Sequence, residues 1–156
     1  MPHAPCGVSM IRVDDHEVQQ LIHQLIERGD DMTPVMRTIS RIMMGAVREN
    51  EEREGRPKWP ALSPVTIVER EKKGYWPGKM LKRSGLLAQS YTRSAERFRA
   101  IVGSNWPTAR IHELGGEAGR GHKVHIPARP VLNIPQSAVG EIRLALVTFL
   151  LKGEAG

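Results

Sequence analysis

Cysteine and aromatic residues are scarce in this chain, and long apolar runs are absent from it. The one cysteine, Cys6, excludes an internal disulfide and any metal site built from several cysteines. Aromatic residues make up only 4%, so the core must consist of aliphatic side chains and the seven methionines. No run approaches the roughly 20 apolar residues that a membrane helix requires. The N-terminus also lacks the basic and apolar regions of a secretory signal, so we expect a cytoplasmic product.

Positive charge is in excess: Lys and Arg number 23 against 17 Asp and Glu, for a net charge of +6. Such a balance favours an acidic partner, either nucleic acid or a protein surface. The basic residues are dispersed, however, and no segment concentrates them on one helix face, which weighs against a dedicated DNA-binding module. The 156 residues are enough for one domain with its own core. We expect that domain at residues 8–153, after a disordered leader at 1–7.

Apolar periodicity predicts helices near both ends of the chain. The first stripe runs over residues 18–26 and the second over residues 35–47, where Thr33 and Pro34 mark the helix start. Their short connection predicts an antiparallel helical hairpin. A third apolar helix begins at Pro135 and ends at Gly153.

Between these helices the pattern is mixed. Residues 90–95 and 98–102 predict a β-hairpin, residues 8–13 a short edge strand, and Ser63 with Pro64 a helix start. Asp14 or Asp15 is expected to cap the first helix. The polar run at residues 48–58 is interpreted as fraying helix and surface turn. The resulting fold class is α+β, with a helical body around a small antiparallel sheet.

Residues 106–132, WPTARIHELGGEAGRGHKVHIPARPVL, form the most informative segment. They predict a short helix ended by Gly115, a flexible glycine-rich loop, and an extended arm at residues 126–132. Pro127 and Pro130 stiffen this arm, because each fixes its own φ and keeps the preceding residue out of the helical region. A mobile loop beside a stiff apolar arm suits docking to another copy or to another protein.

Five short motifs in a fixed order carry a family resemblance. They are Trp59-x-x-Leu62 with Thr66, Leu81 with Ser84-Gly85-x-Leu87-x-x-Ser90, Val102-Gly103-Ser104, Ala109-x-Ile111-His112-x-x-Gly115-Gly116, and Ile126-Pro127-Ala128-Arg129-Pro130-x-Leu132. Together they resemble the phage virion morphogenesis family, the tail-completion or head–tail joining group typified by phages Mu and P2. Thr108 and Val131 stand where that family often has aromatic residues.

The resemblance implies a structural protein without enzyme activity, cofactor or metal. It implies assembly as a ring or small oligomer at the head–tail junction or tail end. Expected partners are further copies of the chain, other phage neck or tail proteins and, without sequence preference, packaged DNA in a ring channel. The expected location is the host bacterial cytoplasm during assembly, and then the virion. A non-specific DNA-binding module is the alternative function.

We expect the interface residues in and around the arm. They are Trp59, Leu62, His112, Gly115, Gly116, Arg120, Ile126, Pro127, Arg129, Pro130 and Leu132. Arg129 has two interpretations: an anchor for a carboxylate on a neighbouring subunit, or an intramolecular salt bridge that pins the arm to its own helix. Trp59 and Leu62 likewise either tie a long loop to the core or form an exposed docking surface.

Catalytic and ligand-binding interpretations of the same residues are weaker. His112, His122 and His125 lack the acidic neighbours of a catalytic zinc site, apart from Glu113 and Glu117. The glycine-rich loop does not have P-loop spacing. Ser84 and Ser90 lie in no nucleophile elbow, and helix capping explains Ser84.

Overall fold

The computed structural model describes residues 16–156. These residues form six α-helices and two separate two-stranded antiparallel sheets, so the α+β prediction is confirmed. The leader at 1–7, the strand at 8–13 and the cap at Asp14 or Asp15 lie outside the described residues. The helices are α1 (His16–Asp30), α2 (Thr33–Arg53), α3 (Pro64–Lys72), α4 (Leu86–Ser90), α5 (Ala109–Leu114) and α6 (Gln136–Lys152). The strands are β1 (Tyr91–Glu96), β2 (Arg99–Ser104), β3 (Gly116–Ala118) and β4 (Val124–Ile126).

Local sequence signals explain several of these boundaries. The Ser63 hydroxyl accepts a hydrogen bond from the Thr66 amide, and Pro64 occupies the first turn of α3. Gly153 ends α6 in the left-handed conformation that glycine adopts without strain. The β1–β2 hairpin has the predicted antiparallel pairing, shifted by a residue or two along the chain.

Helix α2 is the centre of the packing. It lies against β1, β2 and α6. Near its start, Val35 and Ile39 pack with Phe149 of α6. Further along, the main core cluster consists of Met44, Val47, Trp59, Leu81, Leu87, Tyr91, Ala109 and Val131. This cluster brings the end of α2, the long loop after it and the arm into one apolar core.

Helix α1 does not pack against α2 as the antiparallel partner that the sequence predicts. It buries none of its residues, and its main contact is with α6, where Arg28 Nη1 donates to the Leu150 carbonyl at 2.7 Å. Leu21, Ile22 and Ile26 are 42%, 51% and 64% exposed. Helix α1 does not pack on α2 because the first hairpin and α6 already cover the apolar face of α2.

The glycine-rich loop contains regular structure that the sequence does not predict. It folds as a second hairpin in which β3 pairs with β4, with Glu117 opposite His125. Gly119 and Gly121 have positive φ at its turn, a conformation that side chains rarely adopt. The glycines therefore shape a tight turn. Within residues 16–156, no helix has both the length and the apolar character needed to span a membrane.

Candidate functional site

The arm (residues 126–132) lies in a polar and apolar cradle supplied by its own chain. The cradle consists of the end of α2, the loop at residues 54–62, and α5. Because the arm has prolines at two positions, it lacks two backbone donors and cannot join a regular sheet along its length. Side chains therefore supply most of its hydrogen bonds.

Arg129 holds the arm to the long loop. Its side chain is only 5% exposed, and its Nε and Nη2 donate to the carbonyls of Pro60 and Ala61, each at 2.9 Å. Its amide donates to the His112 carbonyl at 2.6 Å. This arrangement does not agree with the first interpretation of Arg129, an anchor for a neighbour's carboxylate. The pin is intramolecular, as in the second interpretation, but its acceptors are loop carbonyls and not a carboxylate.

Glu113 and Trp59 fix the next residues of the arm. The Glu113 carboxylate accepts from the amides of Val131 at 2.8 Å and Leu132 at 3.1 Å. The Trp59 indole donates to the Pro130 carbonyl at 3.1 Å, and its ring is buried in the core. Between these bonds, Val131 points into the core and is fully buried. Trp59 thus ties the loop down, as one of its two interpretations predicts.

Asn50 is the cradle residue that sequence reasoning missed. It is fully buried, and its Nδ2 donates to the carbonyls of Val131 at 2.8 Å and Asn133 at 2.7 Å. Its Oδ1 accepts from Arg56 Nε at 3.0 Å. The polar run at residues 48–58 is therefore partly interior, contrary to the surface-turn interpretation. A signal was present, because Asn50 lies one helical turn after Val47 on the same stripe.

Gly115 permits a close contact between the end of α5 and the arm. Its φ of +70° and ψ of 178° belong to a region that only glycine adopts readily. A Cβ at this position would lie 2.8 Å from the Ala128 amide nitrogen and 3.0 Å from the Ile126 carbonyl oxygen. The first glycine of the Gly-Gly pair is thus required by close packing as well as by its dihedral angles, while Gly116 pairs with Ile126.

The remaining predicted residues spread around the arm. Leu62, Ile126, Pro127 and Leu132 are half-buried, Pro130 is exposed, and Arg120 is exposed at the tip of the second hairpin. The arm is consequently stabilised within its own subunit. The role of these residues in an interface stays a prediction.

The histidines do not converge on a metal. Across residues 16–156, no group of three or more His, Cys, Asp or Glu side chains is placed to hold an ion. His125 Nδ1 lies 2.8 Å from Glu117 Oε1 across the β3–β4 pair. Burial lowers the pKa of His112, and the positive charges of Arg129 and Arg70 lower it further. His112 is therefore a neutral side chain at neutral pH.

Replacing Asn50 with alanine should loosen the arm. The change removes the buried amide and leaves two carbonyls and the Nε of Arg56 without their partner, at an expected cost of about 3 kcal/mol in the free energy of unfolding. Urea denaturation measures this loss. Asn133→Ala is the matched control, because Asn133 is exposed and its side chain makes one bond, to the Arg56 carbonyl at 2.7 Å. Equal effects of the two variants would contradict the assigned role of Asn50.

Adding a single methyl group at Gly115 should also be costly. Gly115→Ala meets two backbone atoms that cannot rotate away, so we expect destabilisation of at least about 2 kcal/mol. The control is Gly45→Ala in α2, where a Cβ has nothing within 4 Å. That control should stabilise the protein by up to about 1 kcal/mol, because alanine has the higher helix propensity. Opposite signs in chemical denaturation would support the close contact, and a neutral Gly115→Ala would refute it.

Comparison with known proteins agrees with the motifs that frame this cradle. A sequence model described as the phage virion morphogenesis family matches residues 13–150. The chain is 36% identical over 126 residues to "Mu-like prophage FluMu G protein 2" of Haemophilus influenzae, an alignment covering 79% of this chain and 83% of that protein. It is 26% identical over 137 residues to "Putative capsid assembly protein G" of Escherichia phage Mu, covering 85% and 87%. No solved structure matches the chain. The family match spans both the helical body and the arm, and the chain therefore belongs to the phage virion morphogenesis family.

Proposed function

We propose that this protein is a structural, non-enzymatic component that completes the phage tail or joins it to the head, acting as a ring of identical subunits. The observation that carries the proposal is the family match over residues 13–150. The name of the phage Mu relative refers to capsid assembly, which supports a role in building the particle. The protein would assemble in the host bacterial cytoplasm and remain in the virion.

An exposed apolar stripe on α6 supports self-association. Leu144, Val147 and Leu151 follow one another at helical spacing and are 68%, 52% and 54% exposed. A contiguous apolar stripe of this kind is typical of a protein–protein contact. We call these three residues the α6 stripe and assign it to the contact between subunits.

The charge distribution favours protein contacts over DNA as the primary function. Several arginines are neutralised within the subunit: Arg53 and Arg56 pair with Glu49, Arg97 with Asp30, and Arg99 with Glu96. Phosphate binding depends on basic side chains that are free to replace counterions. Packaged DNA in a ring channel is therefore proposed only as a weak, non-specific partner.

A complementation experiment tests the assembly role. The gene is deleted from a phage or prophage that carries it. The deletion strain is then supplied with the wild-type protein or with the variant Val147→Asp or Val65→Asp. Without the protein, we expect electron microscopy to show heads and tails that accumulate unjoined. Wild type restores infectious particles, whereas Val147→Asp lowers the titre by at least about tenfold, because it places a charge in the stripe.

Val65→Asp is the matched control. Val65 is 79% exposed on α3, away from the stripe, so the same chemical change should leave the titre near that of wild type. Normal joined virions in the deletion strain would contradict the assembly proposal. Equal titres for the two aspartate variants would contradict the use of the α6 stripe.

A further inference from the structure

A cleft of about 360 Å³ lies between α3, the loop after it, α4 and α5. We call it the arginine cleft. Its lining combines cationic, aromatic and apolar side chains, among them Arg70, Tyr75, Arg83, Leu86, Trp106 and His112. No carboxylate is among its lining residues.

Two arginines of the cleft are held in place by their surroundings. Arg70 Nη2 donates to the Met80 carbonyl at 2.6 Å, and its Nη1 donates to the Lys79 carbonyl at 3.3 Å. The Arg83 guanidinium lies over the Tyr75 ring, 5.5 Å from the ring centroid. Both positive groups are therefore oriented before any ligand arrives, which reduces the entropy that binding would cost.

The arginines in and around this cleft lack a direct ion pair among the described residues, although the Glu69 carboxylate lies close enough to act on Arg70 and Arg83. Within residues 16–156, Arg70, Arg83 and Arg129 make no ion pair. The nearby Glu69 is bound to Lys73, with 2.6 Å between its Oε1 and the lysine Nζ. Burial lowers the pKa of Arg70 and the neighbouring Arg83 lowers it further, while Glu69 opposes this shift only in part. The half-buried Arg70 and the exposed Arg83 lie close enough to repel each other, and such a pair of like charges favours the arrival of an anion.

The rim of the cleft is apolar and exposed. Tyr75, Leu86 and Trp106 are 42%, 49% and 37% exposed. Within the lining, the His112 Nδ1 atom is buried without a hydrogen-bond partner among the described residues. Tyrosine, tryptophan and arginine are the residues most enriched where protein interfaces gain their binding energy.

We propose that the arginine cleft binds a carboxylate side chain of a partner protein, together with an apolar side chain next to it in the partner's sequence. The partner's carboxylate pairs with Arg83 and Arg70, and its apolar neighbour covers Trp106 and Leu86. The inference rests on the proposed function only for the source of that acidic segment, another component of the particle. A protein segment fits better than a DNA duplex, because the charges lie inside a concave pocket with an apolar rim.

Nuclear magnetic resonance of the full-length protein tests the inference without any assembly step. The ¹⁵N-labelled chain is titrated with the capped peptide Ac-Leu-Glu-Gly-NH₂ and, as a matched uncharged probe, Ac-Leu-Gln-Gly-NH₂. We expect the acidic peptide to shift the Trp106 indole and His112 amide signals with saturable, weak affinity. The glutamine peptide should bind about tenfold more weakly, since it lacks the charge-assisted bond.

Variants identify the binding group. Arg83→Gln should weaken binding of the acidic peptide by about tenfold. Arg110→Gln is the control. Arg110, on α5, is exposed like Arg83 but does not line the cleft. Equal binding by the two variants, or no shift at Trp106 and His112, would overturn the inference.

Inorganic phosphate and a short DNA duplex complete the titrations. Stronger shifts of the same signals by either of them than by the acidic peptide would overturn the carboxylate assignment in favour of a phosphate site. The deletion experiment on the assembly role has an independent readout. If the peptide does not bind but the deletion strain fails to form virions, only the docking inference is refuted. If the peptide binds but the deletion strain forms normal virions, only the assembly role is refuted.

Discussion

The capture of the arm by its own subunit is the constraint on which the rest of the structure depends. Arg129 bonds it to the loop at Pro60 and Ala61, Glu113 binds it from α5, and Asn50 binds it from α2. These three attachments come from segments far apart in sequence. They close the long loop after α2 over the core, and Val131 completes the apolar cluster beneath it.

This arrangement changes what the prolines and glycines mean. The stiff sequence of residues 126–132 suggests a segment that docks to a partner. In the structure this segment instead packs within its own subunit. Gly115 allows α5 to approach the arm, and the glycines beyond it form a defined hairpin. The surfaces that we propose for partners lie elsewhere. The α6 stripe is apolar and exposed, and the arginine cleft is lined by two arginines and by no carboxylate.

The sequence predicts the elements of this fold better than their contacts. Periodicity and capping residues were enough for α2, α3, α6 and the first hairpin, because those signals are local. The packing of α1 depends on which faces of α2 are already covered, and this information is distributed over the whole chain. Asn50 illustrates the same limit at the site. Its helical position predicts a core-facing direction, but its amide has partners 81 and 83 residues away, which no local pattern reveals. The family, in contrast, could be identified from motifs alone, since their order does not depend on the contacts they make.

Hydrogen exchange of the arm amides in the isolated protein tests this account most directly. Arg129, Val131 and Leu132 donate their amide protons to acceptors within the subunit. The account predicts that they exchange as slowly as the buried amides of α2 in a dilute sample, where no second subunit is bound. Exchange at the rate of an unstructured chain, slowing only when the subunits associate, would contradict it and return the arm to the role of a docking segment.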